Sequence, residues 1–387
     1  MRFVSASVLA LIACDASTVH VSVTRDGKPA AGARVHFMRA DFSVIESVTT
    51  ADDGLAASSG EPAIVSAILP SPNEGLRAAI VSIEGVSPDD DLAIRWTTLP
   101  PVRTRYAISY PLDPEATRHL AVARCGEEFH GAIELACAPP WDIAVTSFDA
   151  MDRPLHMLVA RGVVPADGIA IAGAYEPLAP TTIALSNLPD TATDATATIS
   201  IAGFATTRLT GPVAGGAITL AGGRPPLDEP ARLHVEIVGS QRVWGMVDHG
   251  SDRGASDRAL DFATIHVPTM QTFEWTPVFE QLTWEPTAGA ITPDAAYMPF
   301  TVRRGEDRFF HAVFAPFTGP MLQAPPLPVE DFDLNSRDGD MNQLIGLTLV
   351  QLPGGYARFK SSPFDGFDST GYPEPAPNER VLYSTYR

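Results

Sequence analysis

The chain has 387 residues, of which 45% are hydrophobic and 19% are charged, so it can bury sizeable cores and lacks the composition of a disordered protein. Its formal net charge of −19 excludes the basic surface that nucleic acid requires, and it opposes electrostatic binding to anionic membranes. The 35 prolines and 30 glycines are spread along the chain, which is typical of many short strands and turns.

The first fourteen residues, MRFVSASVLALIAC, have the pattern of a signal peptide. Arg2 provides a short basic start, and the apolar run of about eleven residues that follows is too short to span a bilayer. Leu11, Ile12, Ala13 and Cys14 resemble the lipobox of bacterial lipoproteins. The resemblance implies cleavage before Cys14, a diacylglycerol on its thiol and, with further acylation, a stable membrane anchor. The alternatives are ordinary secretion and a buried first strand.

Residues 15–98 are predicted to form a first β-sandwich. Val19, Val21 and Val23 alternate with polar residues, which predicts a strand with one buried and one solvated face. The following segments, VTRDGKPAAGARVHF and TTADDGLA, are similar to carboxypeptidase regulatory-like and bacterial immunoglobulin-like modules. The resemblance is carried by Asp26-Gly27, Pro29, Gly32-Ala33, Val35, Phe37 and Thr50 through Gly54. It implies an immunoglobulin-like sandwich that acts as an accessory domain without catalytic residues.

Residues 99–180 are predicted to form a second β-sandwich that contains a disulfide bond. With Cys14 assigned to the lipid, Cys125 and Cys137 remain as an even pair, which indicates a disulfide in an oxidising compartment. The segment CGEEFHGAIELAC is predicted to form two strands joined by a turn. The alternative is a metal site of Cys125, His130 and Cys137, but structural zinc takes four ligands and no fourth is evident.

Two further β-sandwiches are predicted over residues 181–271 and 272–387. The alternative for residues 181–271 is that they form one larger domain with residues 99–180. In RLHVEIVG, for example, Leu233, Val235 and Ile237 alternate with polar residues. Turn signals recur at the spacing expected between the strands of sandwich domains. We therefore predict an all-β chain of tandem antiparallel β-sandwiches of the immunoglobulin-like type.

The common short motifs of catalysis are absent from the sequence. It contains no G-x-S-x-G, H-E-x-x-H or G-x-G-x-x-G, and no glycine loop that ends in Lys-Ser or Lys-Thr. We predict outward-facing strand positions for His20, His36 and His234. The tryptophans are predicted to pack in cores, although an exposed ring would suit stacking on sugars. They are Trp96, Trp141, Trp244, Trp275 and Trp284.

The segment EDFDLNSRDGDMN, residues 330–342, is rich in carboxylate and amide oxygens. Calcium takes roughly six to eight oxygen ligands, so this segment predicts a calcium site. The candidate ligands are Asp331, Asp333, Asn335, Asp338 and Asp340. The segment departs from the EF-hand template, because Ser336 stands where that template has glycine. The alternative is a solvated acidic loop, and no other cofactor is predicted.

These features together predict an exported protein that the lipid on Cys14 anchors in the bacterial cell envelope, on the periplasmic side or the cell surface. We expect a binding or structural role without catalysis, with an envelope protein or a glycan as partner and no nucleic acid. Two alternatives are a polysaccharide hydrolase and a carbohydrate-binding protein. The hydrolase needs two carboxylates roughly 5 to 10 Å apart in a cleft, and the binding protein needs exposed aromatic rings.

Overall fold

The computed structural model describes residues 18–70, 75–96, 103–201, 203–239, 242–249, 257–268, 270–286, 291–327, 337, 339–362, 364–365 and 379–386. Throughout these ranges the chain is folded into strands, with one short α-helix and one turn of 3-10 helix. The prediction of an all-β, sandwich-type fold is confirmed. None of the helical turns in these ranges has the length and hydropathy needed to cross a membrane.

The strands before residue 97 form two layers. They are β1 (Val19–Arg25), β2 (Lys28–Pro29), β3 (Arg34–Met38), β4 (Val44–Thr49), β5 (Leu55–Ser58), β6 (Ile64–Pro70), β7 (Ala78–Glu84) and β8 (Asp91–Trp96). Strand β1 pairs with β2, β5 and β8 in one layer, while β4, β3, β6 and β7 pair in that order in the other. Asp26 and Gly27 have positive φ angles of 52° and 73° in the β1–β2 turn, as the Asp-Gly pair predicts.

The strands between residues 104 and 177 form a sheet of their own. They are β9 (Thr104–Ser109), β10 (Arg118–Ala123), β11 (Gly126–Phe129), β12 (Ala132–Leu135), β13 (Trp141–Phe148), β14 (Pro154–Val163), β15 (Ile169–Ala170) and β16 (Glu176–Pro177). The order in the sheet is β15-β9-β12-β11-β10-β13-β14-β16. All of these strands fall within the predicted module 99–180, so this sheet is local in sequence.

The next strands form a sandwich around a third core. They are β17 (Ala179–Ser186), β18 (Ala192–Ile201), β19 (Ala205–Pro212), β20 (Ile218–Arg224), β21 (Ala231–Gly239), β22 (Arg242–His249) and β23 (Asp257–Asp261). The sheet β20-β17-β23 packs against β19-β18-β21-β22. Ile183 and Leu220 meet Ala197 and Val235 in the core between the two sheets.

The last part of the chain supplies a small sheet, an α-helix and several strands of a much longer sheet. The elements are β24 (Met270–Thr276), a 3-10 turn (Pro277–Phe279), β25 (Gln281–Pro286), β26 (Ala295–Arg304), β27 (Asp307–Pro316), β28 (Met321–Gln323), β29 (Met341–Leu344), β30 (Leu347–Gln351), α1 (Gly355–Lys360), β31 (Phe364–Asp365) and β32 (Arg380–Tyr386). Strands β24, β25 and β28 pair with one another, and β31 extends the layer of β1 by pairing with β8.

One long sheet runs across the predicted module boundaries. Its order is β19-β18-β21-β22-β32-β30-β26-β27-β7-β6-β3-β4, with β29 beside β26. Strand β32 lies between β22 and β30, and β27 pairs in parallel with β7 from Phe309↔Ala78 to Phe314↔Ile83. The predicted boundaries at residues 98 and 271 are therefore crossed by a continuous hydrogen-bonded sheet.

The central strands of this long sheet are buried on both faces. One face packs Val81 and Phe314 against Val21 and Ile94 of the β1–β8 layer. The other face belongs to a second core, which is covered by the small sheet β24-β25-β28. That core includes Ile80, Met298, Phe300, Val313, Leu282 and Trp284. Two-sided burial explains why β6, β7, β26 and β27 are nearly continuous apolar runs.

Candidate functional site

The disulfide bond predicted between Cys125 and Cys137 is present. Its Cα atoms lie 5.9 Å apart, and it closes the ends of the β11–β12 hairpin. His130 is exposed at the turn of this hairpin, with a positive φ of 51°. Because both sulfur atoms are used in the bond, the alternative metal site of two thiolates and His130 is wrong.

Most of the predicted lipid and calcium residues lie outside the described part of the chain. These are Cys14, Asp331, Asp333, Asn335 and Asp338. Asp340 is described, and both of its carboxylate oxygens accept hydrogen bonds from Arg304, at 3.0 Å from Nε and 2.6 Å from Nη2. These bonds hold the pKa of Asp340 below its usual value.

The calcium site stays a prediction, because only one of its five candidate ligands lies within the described residues. Within the described ranges, no three His, Cys, Asp or Glu side chains are grouped so as to hold a metal ion. The single ligand that is placed, Asp340, is already paired with a guanidinium.

The tryptophan side chains are mostly core residues. Trp96, Trp141 and Trp284 are only 1%, 3% and 6% exposed, which confirms the prediction of core packing for these three. Trp275 is half-buried, and the ring of Trp244 lies outside the described side chains. The described tryptophans therefore do not form an exposed strip on which a sugar chain could stack.

The predicted outward orientation of His36 is wrong, whereas His20 is exposed as predicted. His36 is fully buried because a second core covers its face of the long sheet, and its Nδ1 hydrogen-bonds with Ser47 Oγ at 2.7 Å. Burial, together with the nearby charge of Arg34, lowers the pKa of His36 to about 4.

A second buried histidine lies in the same long sheet. His311 Nε2 hydrogen-bonds with Ser82 Oγ at 2.8 Å, and Ser82 Oγ hydrogen-bonds with Ser66 Oγ at 2.7 Å. Burial lowers the pKa of His311 to about 3, so the ring is neutral at physiological pH. These side chains are polar but buried, so a substrate cannot reach them in this arrangement.

A denser and partly accessible polar cluster lies at the turn between β9 and β10. Asp113 is buried there, and its Oδ2 accepts hydrogen bonds from Ser147 Oγ at 2.6 Å and His156 Nδ1 at 2.7 Å. Ser147 and His156 come from the adjacent strands β13 and β14. Burial alone would raise the pKa of Asp113, but these hydrogen bonds outweigh it and lower the pKa.

Three half-buried rings extend this cluster toward the surface, and we call them the Tyr110–His119–Tyr175 patch. The His119 ring centroid lies 5.8 Å from each tyrosine ring centroid, and His119 Nε2 accepts a hydrogen bond from the backbone N–H of Asp113 at 3.0 Å. Tyr110 donates its hydroxyl proton to Glu128 Oε2 at 2.8 Å. The rings are thus held in fixed positions by polar contacts at their edges.

The cluster combines serine, histidine and aspartate, but it is not arranged as a catalytic triad. In a triad the histidine lies between the acid and the serine, and it removes the serine proton. Here the Ser147 hydroxyl donates directly to Asp113, and Ser147 is fully buried. The Ser147 hydroxyl is therefore not available as a nucleophile. The part of the cluster that a ligand can contact is the Tyr110–His119–Tyr175 patch.

A shallow groove of about 390 Å³ on the β24–β25 hairpin brings two carboxylates together. Glu274 and Glu285 line it with Thr272 and Thr283, and they occupy diagonal positions in the register of the two strands. Both glutamates are exposed to solvent. The general acid of a glycosidase instead lies in apolar surroundings, so this pair lacks that feature of a hydrolase site.

The aspartate–histidine cluster was not predicted from the sequence. Tyr110, Asp113 and His119 stand together in YPLDPEATRH, which is a usable local signal. Ser147 and His156 lie much farther along the chain, and no spacing rule connects them to Asp113. They meet it because β10, β13 and β14 are consecutive neighbours in the sheet.

Comparison with known proteins finds no matching family model and no matching curated protein. Among solved structures, the Bacillus anthracis TIE protein is 11% identical with a TM-score of 0.17, over 63% of this chain and 50% of that one. A tetra-tandem repeat in the extending region of a large adhesion protein is 11% identical with a TM-score of 0.13, over 87% and 95% of the two chains.

The native conformation of E. coli alpha-2-macroglobulin is 8% identical to this chain, with a TM-score of 0.13 over 92% of this chain and 26% of that one. The chain thus spans half the length of the first of these structures and about a quarter of the third. At TM-scores this low, none of the three likenesses bears on the function.

Proposed function

We propose that this protein is exported and anchored by a lipid on Cys14 in the bacterial cell envelope, where it has a binding or structural role. The observation that carries the proposal is the disulfide between Cys125 and Cys137. Stable disulfides are rare in the cytosol, where thiol pools keep cysteines reduced, and are common in exported proteins. The bond therefore supports export, and the lipobox-like segment supplies the anchor.

The structural role is supported by how the polar and aromatic side chains are used. The tryptophans with described rings are buried or half-buried, and Ser147 is closed to solvent. The long sheet joins strands from distant parts of the chain into one hydrogen-bonded array, which suits a load-bearing or spacer protein. Catalysis has no comparable support in the arrangement of these residues.

The anchor is tested by expressing the full chain in a bacterial host that is fed a labelled fatty acid. We expect label on the protein, recovery in the membrane fraction and an intact mass that corresponds to a lipidated chain beginning at Cys14. The Cys14→Ala variant is expected to lose the label. A wild-type protein without label, recovered from the soluble fraction with residues 1–13 still attached, would contradict the anchor.

A second candidate function is carbohydrate binding at the Tyr110–His119–Tyr175 patch. Half-exposed aromatic rings beside carboxylates are a common way to hold a sugar, because the rings contact its apolar face and the carboxylates accept its hydroxyl protons. Glu128 brings a carboxylate to the patch through its hydrogen bond with Tyr110.

Calorimetric titration with envelope polysaccharide fragments tests this second candidate. We expect Tyr175→Ala to weaken binding at least tenfold, since the variant removes one of the two rings that flank His119. Phe129→Ala is the matched control, because Phe129 is 60% exposed and is not part of the patch. Equal affinities for wild type and Tyr175→Ala would remove the patch as a sugar site.

A further inference from the structure

Lys360 is a buried lysine at the end of α1, and its amine points into the turn between β7 and β8. The residue is only 7% exposed, and the chain contains one other lysine, Lys28. Lys360 Nζ donates to the Gly85 carbonyl at 3.0 Å and to Ser87 Oγ at 3.4 Å, and it also contacts Asp90 Oδ2. A turn about 270 residues away in the sequence thus surrounds the amine with oxygen atoms.

The Asp90 carboxylate is held in place for this contact. The backbone N–H of Ser87 donates to Asp90 Oδ2 at 2.7 Å, and the Asp90 carbonyl accepts from the His20 N–H at 2.9 Å. The amine and the carboxyl group therefore meet as fixed neighbours. Holding two reacting groups together in this way replaces a bimolecular encounter and removes much of its entropic barrier.

A hydrogen bond from the same helix fixes α1 against the end of β7. Tyr356 donates its hydroxyl proton to the Glu84 backbone carbonyl at 2.6 Å. Burial raises the pKa of Tyr356 well above its usual value, so the phenol keeps the proton that it donates. The helix that carries Lys360 is therefore held beside the turn that carries Asp90.

We propose that Lys360 and Asp90 form an intramolecular isopeptide bond. Lys360 Nζ forms a bond to Asp90 Cγ, one carbon–oxygen bond of the carboxyl group breaks, and the released oxygen leaves as water. The ammonium form of lysine supplies both protons of that water, so the ion pair becomes an amide plus water without any other reactant.

The backbone of the turn is placed to assist this condensation. The Ser87 N–H donates to the Asp90 oxygen on which negative charge develops when the amine adds to the carbonyl carbon.

The bond would join the β7–β8 turn to α1, and so it would close the first layers of the protein onto its C-terminal part. It would also replace two charges at a poorly exposed position by a neutral amide, which removes the desolvation cost of a buried ion pair. A permanent cross-link of this kind resists heat, proteolysis and pulling forces. The cross-link involves only residues 85–90 and α1, so its formation is independent of the lipid anchor.

Peptide mapping of the purified full chain under reducing conditions tests the proposal. Trypsin cleaves after lysine and arginine, but not after a lysine whose side-chain amine is acylated. We expect one branched peptide that contains both Asp90 and Lys360, lighter by one water molecule than the two segments together. Two separate linear peptides, with complete cleavage after Lys360, would overturn the proposal, and this result needs no variant.

Two variants test the assigned role of Lys360. Lys360→Arg keeps the positive charge but loses the primary amine, and we expect no branched peptide and a lower melting temperature. Lys28→Arg is the matched control, because Lys28 is exposed, and we expect the branched peptide to form in full. A branched peptide at the same position in Lys360→Arg would contradict the assignment of this amine.

Discussion

At the scale of single residues, the two buried histidines make stability sensitive to acid. His311 and His36 have pKa values of about 3 and 4, lowered by burial from the usual value of 6.5. Between pH 6.5 and about 4 the unfolded chain binds protons on these rings and the folded chain largely does not. Protonation then favours unfolding, with a slope of up to about 1.4 kcal/mol per pH unit for each histidine.

We expect His311→Asn to reduce the loss of stability between pH 6.5 and 5, because the variant removes one group that protonates only on unfolding. The free energy of unfolding is measured by urea titration at several pH values. Glu84 acts in the opposite direction over this range, because its pKa is raised to about 7, but its effect cancels when variant and wild type are compared.

His20→Asn is the control for this measurement, because His20 lies on an exposed strand position. Its pH profile is expected to match that of the wild type. Parallel pH profiles for His311→Asn and wild type would contradict the assignment of a neutral, buried imidazole at position 311.

Asp340 provides a second prediction for a single residue. Its side chain is 4% exposed and is paired through two hydrogen bonds with Arg304. We expect Asp340→Asn to lower the free energy of unfolding by about 1–3 kcal/mol, because it removes the carboxylate that pairs with a partly buried guanidinium. Asp307→Asn, at an exposed ion pair with Arg77, is expected to change it by less than about 0.5 kcal/mol.

Melting temperatures measured with calcium and with a chelator distinguish the two interpretations of residues 330–342, which are a calcium site and a solvated acidic loop. If Asp340 is also a calcium ligand, calcium raises the melting temperature of the wild type and a chelator lowers it, and Asp340→Asn is insensitive to both. A melting temperature that calcium and chelator leave unchanged in the wild type would remove the calcium prediction.

At the scale of elements, the stability of the β11–β12 hairpin depends on the disulfide that joins its two ends. Cys125 and Cys137 close a short loop, and a Cβ atom added at Gly126 would lie 1.7 Å from the Glu134 carbonyl oxygen. Gly126 thus lets β11 approach β12 directly after the bridge, and a larger residue would push the two strands apart.

We expect reduction of this disulfide to lower the free energy of unfolding by about 3 kcal/mol, because the unfolded chain regains the freedom of the closed loop. Urea unfolding with and without a reductant measures the difference. The double variant Cys125→Ser/Cys137→Ser should have the stability of the reduced protein and should not respond to reductant. An equal response to reductant in both proteins would assign the effect to something other than this bond.

At the scale of the whole molecule, the first strands depend on the last ones. Strand β7 has β6 on one edge and β27 on the other, and its two faces lie in different cores. A fragment that ends near residue 98 lacks β27 and the β24-β25-β28 sheet, so it exposes one strand edge and one apolar face. The sheet of residues 104–177 contains all of its own strands.

We therefore expect a fragment of residues 18–98 to be insoluble or unfolded when it is expressed alone, and a fragment of residues 103–178 to fold. Circular dichroism and size-exclusion chromatography distinguish the outcomes. A soluble, cooperatively melting 18–98 fragment would show that its pairing with β27 is dispensable.

The sequence by itself determined the local features of this protein. Alternating apolar residues identified strands such as β1 and β21, Asp26-Gly27 identified a tight turn, and cysteine counting identified the disulfide. Each of these follows from residues that are close together in the chain or are few in number. The fold class and the disulfide could therefore be predicted without knowing how the strands assemble.

Only the tertiary structure decided which strands pair and what covers each face. The edges of all strands carry the same backbone donors and acceptors, so nothing in the sequence of β7 specifies β27 as its partner. The burial of His36, the meeting of Asp113 with His156 and the contact of Lys360 with Asp90 all depend on such long-range pairing. A period of two shows that a strand has two faces, but packing decides whether one or both of them are buried.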